Sequence, residues 1–207
     1  VNEQPARRPG RPRSERARAA VLEATLALAA EAGPAGLSME AIARRAGVSK
    51  ETLYRWWPSK IEVILAAMVE HGQVSIPLPD SGDLPGDLRA FLRSTIDALD
   101  GTTALLLRAV AAAAATDQAV ADGVRDRFLH TRRAALGTLL DRAVARGEIP
   151  DEHTTSLVDF VYGSLWYRLI FGIGRLDHRW ADETATAITA ITAISRQPAP
   201  LPPLPPG

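Results

Sequence analysis

Gly47 separates two short helical patterns, and a glycine at that place restricts the chain to few local folds. In residues 37–60, LSMEAIARRAGVSKETLYRWWPSK, Ile42 and Ala46 lie four apart on one face behind Ser38, a good N-cap. The helix they define should close at Gly47, because a left-handed C-terminal turn disfavours a Cβ. Val48 then supplies an apolar plug, Ser49 can cap a second helix, and Leu53 and Trp57 share its buried side. Pro58 ends that helix, since the residue before a proline is pushed out of the α region. Ser59 and Glu62 form a capping box for a third helix.

Two helices around a tight glycine turn make the helix-turn-helix pattern, whose second helix fits the major groove of DNA. An ordinary helical hairpin with a solvated outer face shares that spacing. The residues themselves go further. AIARRAGVSKETLY followed by WPSK resembles the DNA-binding domain of the TetR family of transcriptional regulators, over about residues 14–68, roughly a quarter of the chain. The resemblance implies that Ser49, Lys50, Glu51, Thr52, Tyr54, Arg55 and Trp56 face DNA, with Ser38 and Lys60 on phosphates. Lys50 can donate to guanine O6 and N7, and Thr52 can meet a thymine methyl. Glu51 departs from the small residue common at its place in the family: it can accept from a cytosine amino group or only repel phosphate, and weak readout is expected. Trp57 belongs to the core and Trp56 along the DNA backbone.

The formal net charge is zero, but residues 1–60 carry 11 Lys and Arg against 6 Asp and Glu, and the remaining residues 13 against 18. That asymmetry points the basic end at nucleic acid and makes the acidic remainder a poor DNA surface. Cys is absent, which excludes disulfides and Cys-based zinc sites, and the four His lack metal-ligand spacing. No run of some 18 apolar residues exists to cross a membrane. The N-terminus lacks the apolar core of a signal peptide. A cytoplasmic protein without metal or cofactor is expected.

The patterning predicts an all-α fold of about nine helices: an N-terminal three-helix DNA-binding domain and a C-terminal helical bundle. Residues 1–13, rich in Pro, Gly and Arg, are expected to be a disordered basic arm, and 14–71 the DNA-binding domain. Within it, helices span 14–32, closed by Gly33 and Pro34, and 60–71. Residues 72–86 are the expected linker and 87–196 the second domain, with helices at 87–99, 102–115, 117–146, 151–171 (capped by Asp151) and 181–195. The Pro-rich tail 197–207 holds six prolines between 198 and 207 and is expected to be extended and disordered.

The helix around 158–171 is apolar nearly all the way round, so it should be buried on every side. The resemblance implies that it and the last helix build a homodimer, that a small-molecule effector binds the second domain, and that the operator is palindromic. Phe91, Phe128, Arg132, Tyr162 and Trp166 are candidate effector contacts, being large or polar residues on otherwise apolar helices. The leading expectation is a repressor released from its operator by that ligand. An activator or corepressor-dependent regulator of the same fold remains open. So, more remotely, does a small-molecule-modifying helical enzyme, for which the sequence offers no nucleophile–base pair, metal cluster or phosphate-binding loop.

Overall fold

The computed structural model describes residues 11–75 and 77–195. The expectations for the arm up to residue 10 and for the Pro-rich tail fall outside the described residues. Ten α-helical segments are present: α1 (Arg11–Gly36), α2 (Met39–Ala46), α3 (Lys50–Trp56), α4 (Lys60–Ser75), α5 (Leu84–Asp97), α6 (Gly101–Ala114), α7 (Gln118–Gly123), α8 (His130–Ala145), α9 (Thr154–Phe171) and α10 (His178–Ser195). A π-helical turn, Val124–Leu129, joins α7 to α8 without a break, so the described residues make nine helices and no strand. The fold is all-α.

The described residues pack as two compact units, one of residues up to Gln73 with Gly101–Phe128, the other of Val74–Asp100 with those from Leu129 onward. Residues 101–128, expected within a second domain starting at 87, thus pack with the N-terminal helices. The reason lies in α6, whose partners are α1 and α7.

In the first unit α1 packs on α2 and α6, burying Val21, Leu22, Thr25 and Ala29. The buried Thr25 hydroxyl donates to the Val21 carbonyl at 2.8 Å, so it brings no unsatisfied polar group into the core. Helical geometry in α1 breaks at Gly33 (φ 67°, ψ 177°), where the sequence predicts its end, but α1 begins at Arg11 rather than 14. Along α4 Val63, Ile64, Leu65, Ala66, Ala67 and Met68 are all buried, which leaves this stretch no solvated face. Its capping box is half made. Ser59 Oγ accepts from the Glu62 amide at 3.3 Å, but the Glu62 carboxylate instead takes Arg127 at 2.7 Å.

In the second unit α5 packs against α8 and α10, and α8 against α9. Leu88, Phe91, Leu92, Leu136, Leu139 and Leu140 form its core. Helix α5 starts earlier than 87 because Asp83 accepts from the Gly86 amide at 2.8 Å and Glu148 from the Leu84 amide at 2.7 Å. Asp87 is fully buried, accepting from the Ser81 amide and hydroxyl at 2.6 and 2.8 Å, with Arg146 at 3.6 Å. Arg93 forks onto Asp182 at 2.8 and 2.6 Å, tying α5 to α10. Three expectations need correction here. Asp151 is not a side-chain cap: it opens a 3₁₀ turn (Asp151–His153), its carbonyl accepting from the Thr154 hydroxyl, and α9 starts uncapped at Thr154. Helix α10 starts at His178 rather than 181, because Asp177 accepts from the Trp180 amide at 3.2 Å. Finally, α9 is not buried on every side within the single chain. Phe160 (60%), Tyr167 (54%), Ile170 (47%) and Phe171 (69%) are exposed, since within its unit α8 covers only part of it.

Candidate nucleic-acid interface

The turn between α2 and α3 is built from local signals. Ser38 (φ −134°, ψ 154°) caps α2 by accepting from the Ala41 amide at 3.1 Å. Gly47 takes the left-handed conformation (φ 66°, ψ 30°). Its amide donates to the Arg44 carbonyl at 3.4 Å, and the Val48 amide reaches back to Ala43 at 3.1 Å. Those two bonds are a Schellman closure, which satisfies carbonyls that the helix end leaves open. Ser49 caps α3, its Oγ 3.2 Å from the Thr52 amide. At the far end Trp57 is extended (φ −137°, ψ 115°), as the following Pro58 demands, while its amide still reaches the Leu53 carbonyl at 2.9 Å.

Two side chains hold α3 in place. Leu53 is fully buried and Trp57 nearly so. Trp57 meets Trp56 edge to face, with centroids 5.6 Å apart, and Arg18 lies 5.8 Å from its ring centroid. The remainder of the helix is open. Ser49, Lys50, Glu51, Tyr54 and Arg55 are exposed; Thr52 and Trp56 are half-buried, as are Ser38 and Lys60. None of the predicted DNA-facing residues of α3 is buried, and within the helix only Leu53 is. Lys60 Nζ also donates to the Pro34 carbonyl at 3.4 Å, a weak tether at the N-terminus of α4.

The charges on this face are not equally free. Lys50 is hydrogen-bonded and ion-paired to Glu40 on the first turn of α2. That bond lowers the Glu40 carboxyl below the usual carboxylate range and raises the Lys50 ammonium. Glu51 is also lowered, by its own backbone amide and by Ser49. Arg45 pairs with Glu31 at 2.6 Å and Arg18 with Glu70 at 2.9 Å. Arg44 and Arg55 carry no ion pair among the described residues. The Glu40–Lys50 pair escapes sequence reasoning because ten residues separate the partners, and only the angle between α2 and α3 brings them together.

The candidate effector residues divide between the units. Phe128 lies in the π turn, in the first. Phe91, Arg132, Tyr162 and Trp166 lie in the second: Phe91 fully in its core, Tyr162 buried, Arg132 and Trp166 half-buried. The Tyr162 hydroxyl donates to the Arg132 carbonyl at 2.8 Å, bridging α9 to α8. Burial pushes the Tyr162 phenol up to about 12 and lowers the Arg132 guanidinium.

A capped α2, a Schellman turn at Gly47 and a short α3 open along one side define a helix-turn-helix DNA-binding protein. Comparison with known proteins carries this to a family. Residues 21–67 match the bacterial regulatory proteins of the tetR family, and residues 78–188 the tetracyclin repressor-like C-terminal domain. The chain is 32% identical over 170 residues to the DNA-binding transcriptional repressor TetR of Mycobacteroides abscessus, covering 80% of this chain and 87% of that one. Among solved structures, the TetR family transcription regulator SCO0332 superposes with a TM-score of 0.76 at 33% identity, covering 84% of this chain and 97% of its own. The flavonoid-responsive regulator FrrA superposes at 0.61 with 25% identity, covering 90% and 100%. The chain belongs to the TetR family of transcriptional regulators. It is a DNA-binding regulator rather than an enzyme. Among the described residues no helix is long and apolar enough to cross a membrane.

Proposed function

We propose that this chain is a homodimeric repressor that leaves a palindromic operator when a small molecule binds its second unit. The observation that carries the reading is the presence of two open surfaces on one chain. One is the polar side of α3. The other is the apolar strip of Phe160, Tyr167, Ile170 and Phe171 on α9 and Ile191 on α10. An exposed strip of large apolar side chains marks an interaction site, and a second copy meeting it around a two-fold axis makes a four-helix interface. Two α3 helices so related read half-sites about 34–36 Å apart.

In this reading Lys50 and Thr52 read bases, while Ser38, Ser49, Tyr54, Arg55, Trp56 and Lys60 hold the DNA backbone, and Glu51 contributes little. Helix α4 follows α3 directly and carries the chain out of the DNA-binding unit. A ligand that prefers the wrong half-site spacing weakens operator binding by its preference between the two states. Arg132, Tyr162 and Trp166 are the polar or aromatic candidates for its site. The repressor named in Mycobacteroides abscessus and the flavonoid-responsive regulator support the repressing and ligand-sensing halves of the proposal.

The test is to mix purified protein with sheared genomic DNA of its source organism and sequence what is retained. Enrichment of one or a few palindromes is expected, with light scattering of the free protein giving a dimer. Uniform retention that vanishes with salt would leave only non-specific binding. A monomer in solution would remove the second half of the argument.

A further inference from the structure

We infer that Glu40 is a specificity-determining residue that withholds Lys50 from the DNA backbone. The inference rests on the reading of Lys50 as a base-contacting residue. Lys50 is the first residue of α3, and its ammonium is bound to the carboxylate of Glu40, two residues after the α2 cap. Both side chains are about half exposed, at 50% and 55%, so an incoming DNA acceptor can reach and exchange with the pair. Arg55, at the other end of α3, and Arg44, in the last turn of α2, have no such partner among the described residues. Thus the cation assigned to a base is held by a carboxylate, whereas Arg55, assigned to the DNA backbone on the same helix, is not.

A tethered carboxylate changes what Lys50 gains from each kind of DNA. On arbitrary sequence a phosphate merely replaces one anionic partner of the ammonium by another, so Lys50 gains little by leaving Glu40. At a guanine, O6 and N7 offer two acceptors at fixed geometry, and the exchange yields a second hydrogen bond. Glu40 therefore removes Lys50 from the phosphate contacts that all sequences share, and leaves it available where the base matches. It is discrimination by penalising the wrong partner. Glu51 adjoins Lys50 in sequence and adds a weaker attraction, so Glu40 is the group to change.

The experiment enriches a randomised duplex pool on the full chain and on Glu40→Gln, Lys50→Ala and the double variant, then measures affinity for a scrambled duplex across salt. Gln keeps the shape of Glu and removes the charge. Glu40→Gln is expected to bind scrambled DNA about two- to fivefold tighter. Its salt dependence should steepen by about 0.9 in the log–log slope, one further phosphate contact. Base preference should broaden at the position that Lys50→Ala broadens. In the Lys50→Ala background, Glu40→Gln should leave base preference unchanged. An equal gain on every sequence with preference intact would mean that Glu40 only repels phosphate, and would overturn the inference. The same broadening without Lys50 would overturn it too. A Lys50→Ala protein with wild-type preferences would instead remove the base contact itself, and this inference with it.

Discussion

Replacing Gly47 by Ala separates backbone strain from packing at the turn on which α3 depends. Gly47 sits at φ 66°, ψ 30°, and a Cβ built there meets nothing within 4 Å. The whole cost is therefore conformational. An L-residue in the left-handed region costs about 1–2 kcal/mol, a strain that the lower entropy of the unfolded Ala chain can only partly offset. Since space is open and both amide bonds of the Schellman closure survive, Ala should be accepted, and about 0.4–1 kcal/mol of unfolded-state entropy offsets part of the strain. The net loss is about 1 kcal/mol, or about 2–4 °C in Tm for a chain of this size. Asn tolerates the left-handed region better and should lose less than half of that. Thermal unfolding followed by circular dichroism reads the series, and operator affinity well below Tm should stay within about twofold for both variants, because the turn keeps its shape. An Ala variant as stable as wild type would refute the argument from φ. Equal losses for Ala and Asn would show that bulk, not backbone, is what Gly47 avoids.

Leu53→Ala removes the one fully buried side chain of α3 and should cost about 2–5 kcal/mol in urea unfolding, abolishing operator binding at temperatures where wild type binds fully. Tyr162 ionises later in the folded chain than its ordinary value of 10.0, so its contribution to stability is complete below pH 10 and lost as pH rises through about 12. The phenolate absorbance should show one step near 12 that is missing from Tyr162→Phe, and that variant should lose at most about 3 kcal/mol less stability than wild type over the same pH span. Phe171→Asp changes a side chain that is 69% exposed in the single chain, so folding should persist while light scattering shifts toward monomer and operator affinity falls. A dimer unaffected by Phe171→Asp and by Tyr167→Asp would place the interface elsewhere.

What could be read from the sequence was what neighbouring residues decide among themselves. Ser38, Ser49, Gly47 and Pro58 act within four residues, so the caps, the turn and the stop of α3 follow from residue type alone. The family resemblance rests on the same stretch. Asp151 looked like a cap because Asp usually is one, yet after Pro150 the chain takes a 3₁₀ turn and only the Asp151 carbonyl is used. The π turn at Val124–Leu129 keeps the apolar residues of a long helix while changing their phase, which a search for a 3.6-residue period passes over. Helix α9 posed a different difficulty. Its composition says that it avoids water, but not whether this chain or another molecule covers Phe160 and Phe171. The partnerships of Lys50 with Glu40, and of Glu62 with Arg127, are decided by how helices cross, and no local pattern encodes them.

A seven-residue helix has too few turns to persist alone in water, so α3 exists because Leu53 and Trp57 are anchored beneath it. Its outward positions bear almost none of that burden. Substitutions at exposed sites away from caps and cores usually change stability by no more than about 0.5 kcal/mol. Lineages descending from such a protein can therefore exchange Lys50, Glu51, Tyr54 or Arg55 and acquire new target sites while the scaffold survives each step. Duplicated copies can part ways in what they regulate long before they part ways in shape.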